Sequence, residues 1–301
     1  MTAKEIQHVI ALDLGGSKIT GAIVNSELKI LAQKTIPSRE TIAGIADPGM
    51  VRTKELIAEL CAKAIGLGID LVGGVAGFPE YVDLSGMLTS ADNIDWKLQP
   101  QEDFAKLTGF PWIAQSDVRC AGIAEAHIGS GHECSDFVYI TVSSGISHTH
   151  FLQGRAITGP NGEAIGFGLI EIETPEGKYV LENYSSGLGI ARRYARSSND
   201  FTSDAKSLVG RFDDDGVARE IISSASTVLG VEMARLAAQL PTQVLVVGGG
   251  LWLGSSLYRE LTTTSFHAAS QNIGIDSEIR SATVEHSGVI GAAIYAFAEL
   301  N

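Results

Sequence analysis

Cysteine is scarce in this chain: Cys61, Cys120 and Cys134 lie far apart, with no Cys-x-x-Cys pair among them. That spacing excludes a disulfide framework and points to a reducing, cytoplasmic setting. Basic charge is short as well, 22 lysines and arginines against 35 acidic residues, for a formal net charge of −13. A surface of that sign argues against nucleic acid and anionic membranes as partners and agrees with plain solubility. No apolar run approaches the ~20 residues of a membrane-spanning helix. The opening residues Met1–Glu5 show no signal-peptide pattern. Low-complexity linkers are missing too, so the expectation is a pair of packed, hinged domains rather than beads on a string.

Glycine is plentiful, with 34 residues in a chain of 301, and its placement is informative. An apolar run, Val9–Leu12, ends at Asp13; Leu14-Gly15-Gly16-Ser17-Lys18 follows, and a second apolar run covers Ile19–Val24. The pattern predicts a strand, a tight turn and a strand, with a third strand over Lys29–Ile36. A glycine turn of this kind lets backbone N–H groups approach an anion, and Asp13 is placed to hold hydrated Mg²⁺ beside it. The unit recurs weakly: strand Phe137–Val142, the turn Ser143-Ser144-Gly145, and strand Ile146–Leu152. A third turn, Gly248-Gly249-Gly250, follows the apolar strand Gln243–Val247.

Between these turns, helical spacing predicts helices over 49–65, 117–128, 216–240 and near 255–269, and a final one from Ser287 to Leu300. Short strands are expected at Leu71–Val75 and Trp112–Ala114. The long helix carries Ile221, Ala225, Val228 and Leu229 as its buried stripe.

Three such turns in this order resemble the sugar kinase, hexokinase and actin-like ATPase superfamily, and within it the ROK family. Asp13–Lys18 resembles the family's first phosphate motif, Asp-x-Gly-Gly-Thr-Lys. Gly74–Pro79 resembles its Gly-x-Gly-x-Pro-Gly turn, and Asn93 with Trp96 its Asn-x-x-x-Trp-type sugar-contacting segment. Ser116-Asp117 stands where the family has Asn-Asp, Val246–Gly250 resembles the adenosine-side loop, and Ser287–Ala293 the closing helix. The resemblance covers the whole chain and implies a two-domain actin-like ATPase (ribonuclease H-like) α/β fold, each domain a mixed sheet flanked by helices. The expected division is a small domain of residues 1–116 plus 288–301 and a large domain of residues 117–287.

The departures are equally specific. Where the family has Gly-x-x-Gly-x-Ala-Gly-Glu-x-Gly-His, this chain has Gly159–Leu169, with Gly166 in place of the sugar-contacting Glu and Leu169 in place of the His. The family's zinc loop is absent; Glu173–Val180 stands there without a cysteine, so no zinc is expected. The second phosphate loop changes from Gly-Thr-Gly-Ile-Gly-Gly-Gly to Ser143-Ser144-Gly145-Ile146-Ser147-His148-Thr149.

The resemblance implies an ATP- and Mg²⁺-dependent kinase of a small sugar or sugar-like polyol. Asp13, Gly15, Gly16, Ser17 and Lys18 would hold the terminal phosphates, while Ser143–Gly145 and Gly248–Gly250 would hold the rest of the nucleotide. Asp117, at a strand-to-helix junction, is the expected general base, because transfer to an alcohol needs a carboxylate to take the hydroxyl proton; an Asp there also suits a plain N-cap. Asn93, Ser116, Glu182 and His148 are the acceptor candidates. His148 and His150 share a strand face, which would also suit a metal. Leu169 is expected to fill the space of the missing imidazole. A homodimer fits the reading. Two alternatives stay open: an inactive sugar-binding relative, and a kinase of a cyclitol or deoxy sugar. A repressor is disfavoured, since Asp13 leaves no room for a helix-turn-helix ahead of it.

Overall fold

The computed structural model describes residues 6–38, 47–93, 99–240 and 242–300. By contacts the chain divides into two units, one of residues 1–129, 158–164 and 284–301, the other of residues 130–157 and 165–283.

The first unit begins with the expected meander, β1 (His8–Leu14), β2 (Lys18–Asn25) and β3 (Ile30–Pro37), then α1 (Val51–Leu67) and β4 (Gly73–Phe78). It continues through α2 (Pro100–Thr108) and β5 (Trp112–Ser116) into α3 (Asp117–Ile128). The second unit holds β6 (Phe137–Val142), β7 (Ile146–Leu152), β8 (Arg155–Ala156) and a separate hairpin, β9 (Glu171–Thr174) and β10 (Gly177–Val180). Its helices are α4 (Leu181–Ser185), α5 (Gly187–Ser198), α6 (Ala205–Gly210) and α7 (Gly216–Gln239). After them come β11 (Val244–Gly248), α8 (Gly250–Gly254), α9 (Ser256–Ile273) and β12 (Glu278–Ser281). The chain then returns to the first unit as α10 (Ser287–Glu299).

Each unit is built on a five-stranded mixed sheet. The orders are β3-β2-β1-β4-β5 and β12-β11-β6-β7-β8. Read from the other edge, the second is β8-β7-β6-β11-β12, the same wiring as the first. In both, the leading strand is antiparallel to its hairpin partner on one side and parallel to a crossover strand on the other. The weak repeat read from the two turns is therefore a repeat of the whole sheet.

The first unit has a core on each sheet face. Ile10, Leu12 and Ile23 pack with Leu56, Ile57 and Leu60 of α1 on one side. Val9, Ala11 and Val24 pack with Cys120 and Ala124 of α3 and Val289, Ala293 and Ala296 of α10 on the other. α3 thus belongs with the first unit, and the division differs from one placed at residue 116. The second core gathers Val138, Ile140, Leu245 and Val247 with the expected stripe of α7. By length and composition α7 could cross a membrane, but Ile221, Ala225, Leu229 and Met233 are core residues of this unit.

Two elements differ from the pattern-based reading. β4 lies two to three residues further along than Leu71–Val75, because glycine is usable inside it: a Cβ on Gly74 would strike the Trp112 ring of the neighbouring strand. The helix expected near 255–269 is α9, which runs on to Ile273, but a five-residue α8 precedes it; the Ser255 cap of α9 accepts the Tyr258 N–H at 3.0 Å.

Candidate active site

In the first unit the β1–β2 turn closes through Gly15 N–H donating to Lys18 O at 2.9 Å. Neither Gly15 nor Gly16 adopts a left-handed φ. Close approach is what selects glycine at 15, where a Cβ would sit 3.0 Å from Lys18 O. Asp13, near the end of β1, abuts the start of α10: a Cβ on Gly288 would lie 2.6 Å from its carboxyl carbon. The positive end of that helix favours a carboxylate. Burial nonetheless raises the Asp13 pKa, and Lys18 and His286 offset only part of the effect.

Asp117 opens α3, with Oδ1 accepting the Val118 N–H at 2.6 Å. Its pKa is pushed up to about 8, first by burial, then by the Asp13 charge, with a smaller contribution from Glu80. The residue as a whole keeps partial solvent contact. Each of the two carboxylates resists ionisation, and the Asp13 charge is felt at Asp117; among the described residues no group of three or more His, Cys, Asp or Glu side chains gathers to hold a metal ion. Ser116, the last residue of β5, is wholly buried. Asn93 is exposed, and its amide donates to Pro79 O at 2.6 Å. Trp96 lies outside the described residues.

Two neighbours were missed by the sequence reading. Glu80, 2% exposed, stands where the family turn closes on glycine; that mismatch was the available signal. Its carboxylate accepts from Ser90 Oγ at 2.5 Å and from the backbone N–H of Asp92 at 3.0 Å and of Asn93 at 2.6 Å. Arg119, 1% exposed, donates to Val82 O at 2.7 Å, Gln115 Oε1 at 2.8 Å and Gly162 O at 2.6 Å. Burial lowers its pKa to about 10, so it stays charged at neutral pH.

In the second unit the two expected loops meet. Gly249, at φ +91°, packs so closely on β6 that a Cβ would lie 2.5 Å from Val142 O, and one on Gly250 would lie 3.4 Å from Ser143 Oγ. The Ser143-Ser144-Gly145 turn closes through Ser143 N–H donating to Gly145 O at 2.8 Å. The first N–H groups of α5 fix its carbonyls: Gly187 to Ser143 at 2.8 Å and Leu188 to Ser144 at 3.2 Å. Glu182 lies against the same turn, where its Oε2 accepts the Ile146 N–H at 2.8 Å and leaves no space for a Cβ at Gly145. Burial raises its pKa.

His148 faces the segment in which Gly166 and Leu169 replace the family pair. Its Nδ1 accepts the Phe167 N–H at 3.2 Å, which assigns the proton to Nε2. Burial lowers the pKa to about 4, so the ring is neutral at working pH and offers Nε2–H as a donor. Leu169 does not fill an imidazole-shaped space: it is 58% exposed. His150 is buried beside His148, but among the described residues no third ligand-type side chain joins them to hold a metal.

The segment in place of the zinc loop is the β9–β10 hairpin. Buried Arg193 pairs with Glu176, donates to Ser224 Oγ at 2.8 Å and lies 3.6 Å over the Tyr184 ring. The Tyr184 hydroxyl also donates to Glu176, at 2.9 Å.

A sequence model of the ROK family matches residues 9–299. The chain belongs to the ROK family. A β-glucoside kinase of Listeria innocua is 26% identical over 298 residues, covering 96% of this chain and 97% of its own. An N-acetylmannosamine kinase of Escherichia fergusonii is 27% identical, covering 96% and 98%. Among solved structures, a ROK-family glucokinase of Streptomyces griseus in complex with glucose and AMPPNP superposes with a TM-score of 0.78 at 23% identity, covering 97% of this chain and 99% of that one. That likeness carries the two-domain actin-like fold of the ROK sugar kinases to this chain.

Proposed function

We propose that this ROK protein transfers the γ-phosphoryl group of ATP to a hydroxyl of a small sugar or sugar-like polyol, with Asp117 as general base. The enzyme class, a carbohydrate kinase, rests on kinship with β-glucoside and N-acetylmannosamine kinases across nearly the full length of the chain. The single observation behind the assignment of the base is the Asp117 carboxylate at the mouth of α3, its pKa pushed up to about 8. A base accepts a hydroxyl proton best when its pKa lies near working pH. Asp13 and the Gly15–Lys18 turn would hold Mg²⁺ and the terminal phosphates, and Ser143–Gly145 with Gly248–Gly250 would hold the remainder of the nucleotide. Mg²⁺ would spread the charge that builds on the transferred phosphoryl oxygens.

Asn93, Ser116, Glu182 and His148 would define the acceptor. Losing the family's Glu and His at 166 and 169 removes an acceptor–donor pair, while His148 supplies one neutral N–H. This favours an acceptor presenting a hydrogen-bond-accepting oxygen on that side, as in a glycoside or an N-acyl sugar, over free glucose. A cyclitol or deoxy sugar is the runner-up. Coupled-assay turnover with ATP over glucose, methyl β-glucoside, N-acetylmannosamine and inositol tests the proposal. No transfer to any acceptor would favour an inactive sugar-binding relative. A catalyst whose Asp117→Asn variant keeps near-normal kcat would remove Asp117 from the mechanism.

A further inference from the structure

We infer that Glu80 is a positioning residue for the acceptor: its buried carboxylate fixes the segment that carries Asn93 against the elements that carry Asp117. The inference rests on the kinase reading above and assigns a role to a residue at which this chain departs from the family's turn. A carboxylate removed from water is costly unless its oxygens are filled. Here three donors from one short stretch fill them: Ser90 Oγ and the backbone N–H groups of Asp92 and Asn93. The stretch is the returning arm of a small hairpin. Thr89 N–H donates to Tyr81 O at 2.9 Å, Tyr81 N–H donates to Ser90 Oγ at 3.0 Å, and Val82 bridges Leu88.

Both anchors of this hairpin are tied to the base. Glu80 follows β4, whose Phe78 registers with Ser116 and whose Gly77 leaves only 3.3 Å between a notional Cβ and the Asp117 Cα. At the other end, Val82 O accepts from Arg119, two residues beyond Asp117 on α3. The backbone of Asn93 is therefore set relative to Asp117 through one buried anion and one buried cation. Neither side chain has to touch substrate to do this. A glycine at position 80 would leave the arm without its anchor.

The test compares Glu80→Gln, Glu80→Asp and Ser90→Ala with wild type, using methyl β-glucoside, N-acetylmannosamine and glucose as probes. Glutamine keeps one accepting oxygen and turns its NH2 group toward one backbone N–H, that of Asp92 or of Asn93. Glu80→Gln should raise the acceptor KM at least ~10-fold, as expected for a buried N–H left facing another donor, while the KM for ATP stays within about twofold. Aspartate keeps both oxygens and should recover much of the loss. Ser90→Ala, which leaves the carboxylate in place, should raise the acceptor KM ~3-fold or more and decides the matter if Glu80→Gln fails to fold. An unchanged acceptor KM in a folded Glu80→Gln, or equal rises for acceptor and ATP, would overturn the inference and leave the kinase reading standing. A wild type inactive on every probe would sink both.

Discussion

Replacing Asp117 by Asn should make the protein more stable while it loses activity. The pKa rises from 3.8 to about 8 on folding, so the folded state holds this proton more tightly than the unfolded chain does. At acid pH both states carry it and Asp costs nothing extra. As pH climbs from ~4 the unfolded state releases it while the folded state keeps it, and wild-type stability falls until the folded group also ionises near pH 8. Each step of one in pKa is about 1.4 kcal/mol, which bounds the cost at roughly 6 kcal/mol. Partial solvent contact of the residue reduces the working figure to about 1–3 kcal/mol. Asn keeps an oxygen for the Val118 N–H bond and never ionises. With ~2–4 °C per kcal/mol for a unit of this size, thermal unfolding in nucleotide-free, Mg²⁺-free buffer should show Asp117→Asn melting about 3–10 °C above wild type at pH 8.5. The gap should close as pH falls toward 4. Turnover should drop by ~10²-fold or more. A gap that is absent, or that does not change with pH, would refute the burial argument.

A second set of perturbations follows from the same geometry. Gly288→Ala puts a methyl against the Asp13 carboxylate and should abolish turnover while the second unit keeps its hydrogen-exchange protection; normal turnover would show that Asp13 is not needed where it lies. Arg193→Met strands Glu176 and uncovers the Tyr184 ring, so amides over 171–180 should exchange at least ~10-fold faster, whereas EDTA on wild type should leave them unchanged and elemental analysis should find no zinc. Glucose should be used with a kcat/KM at least ~10-fold below that of the best acceptor, since two lost contacts of ~1 kcal/mol each exceed that factor. His148→Gly combined with Gly166→Glu and Leu169→His should narrow that gap; a wild type that prefers glucose would contradict it.

Much of this fold was readable along the chain. The bounds of α3, β6 and β7 coincide with the pattern-based ones, because the apolar strands there end in small-residue turns and α3 opens on an Asp in its first turn. The turns at 13–18, 143–145 and 248–250 were found because glycine marks close backbone approach. What stayed hidden depends on contacts between distant residues. No local pattern says that Glu80 will be filled by donors from residues 90–93, that Arg193 will take Glu176, or that the Phe167 N–H will choose the tautomer of His148. β4 was displaced for the same reason, its Gly74 answering to a tryptophan on the next strand.

The first unit is discontinuous along the chain, and this bears on the order in which the protein is made. Strands β1 to β5 are all made before α10, yet one face of their sheet is covered in part by its Val289, Ala292, Ala293 and Ala296. Until then only α3, through Cys120 and Ala124, covers the Ala11–Val24 face, and Asp13 lacks the helix start that packs against it. The second unit, whose core comes from residues 138–279, can complete its core before α10 emerges. Asp13 and the β1–β2 turn therefore reach their final surroundings only after residues 287–299 have emerged, and a nascent chain stalled before residue 287 would carry a second unit with its core complete and a first unit still open to water and to chaperones.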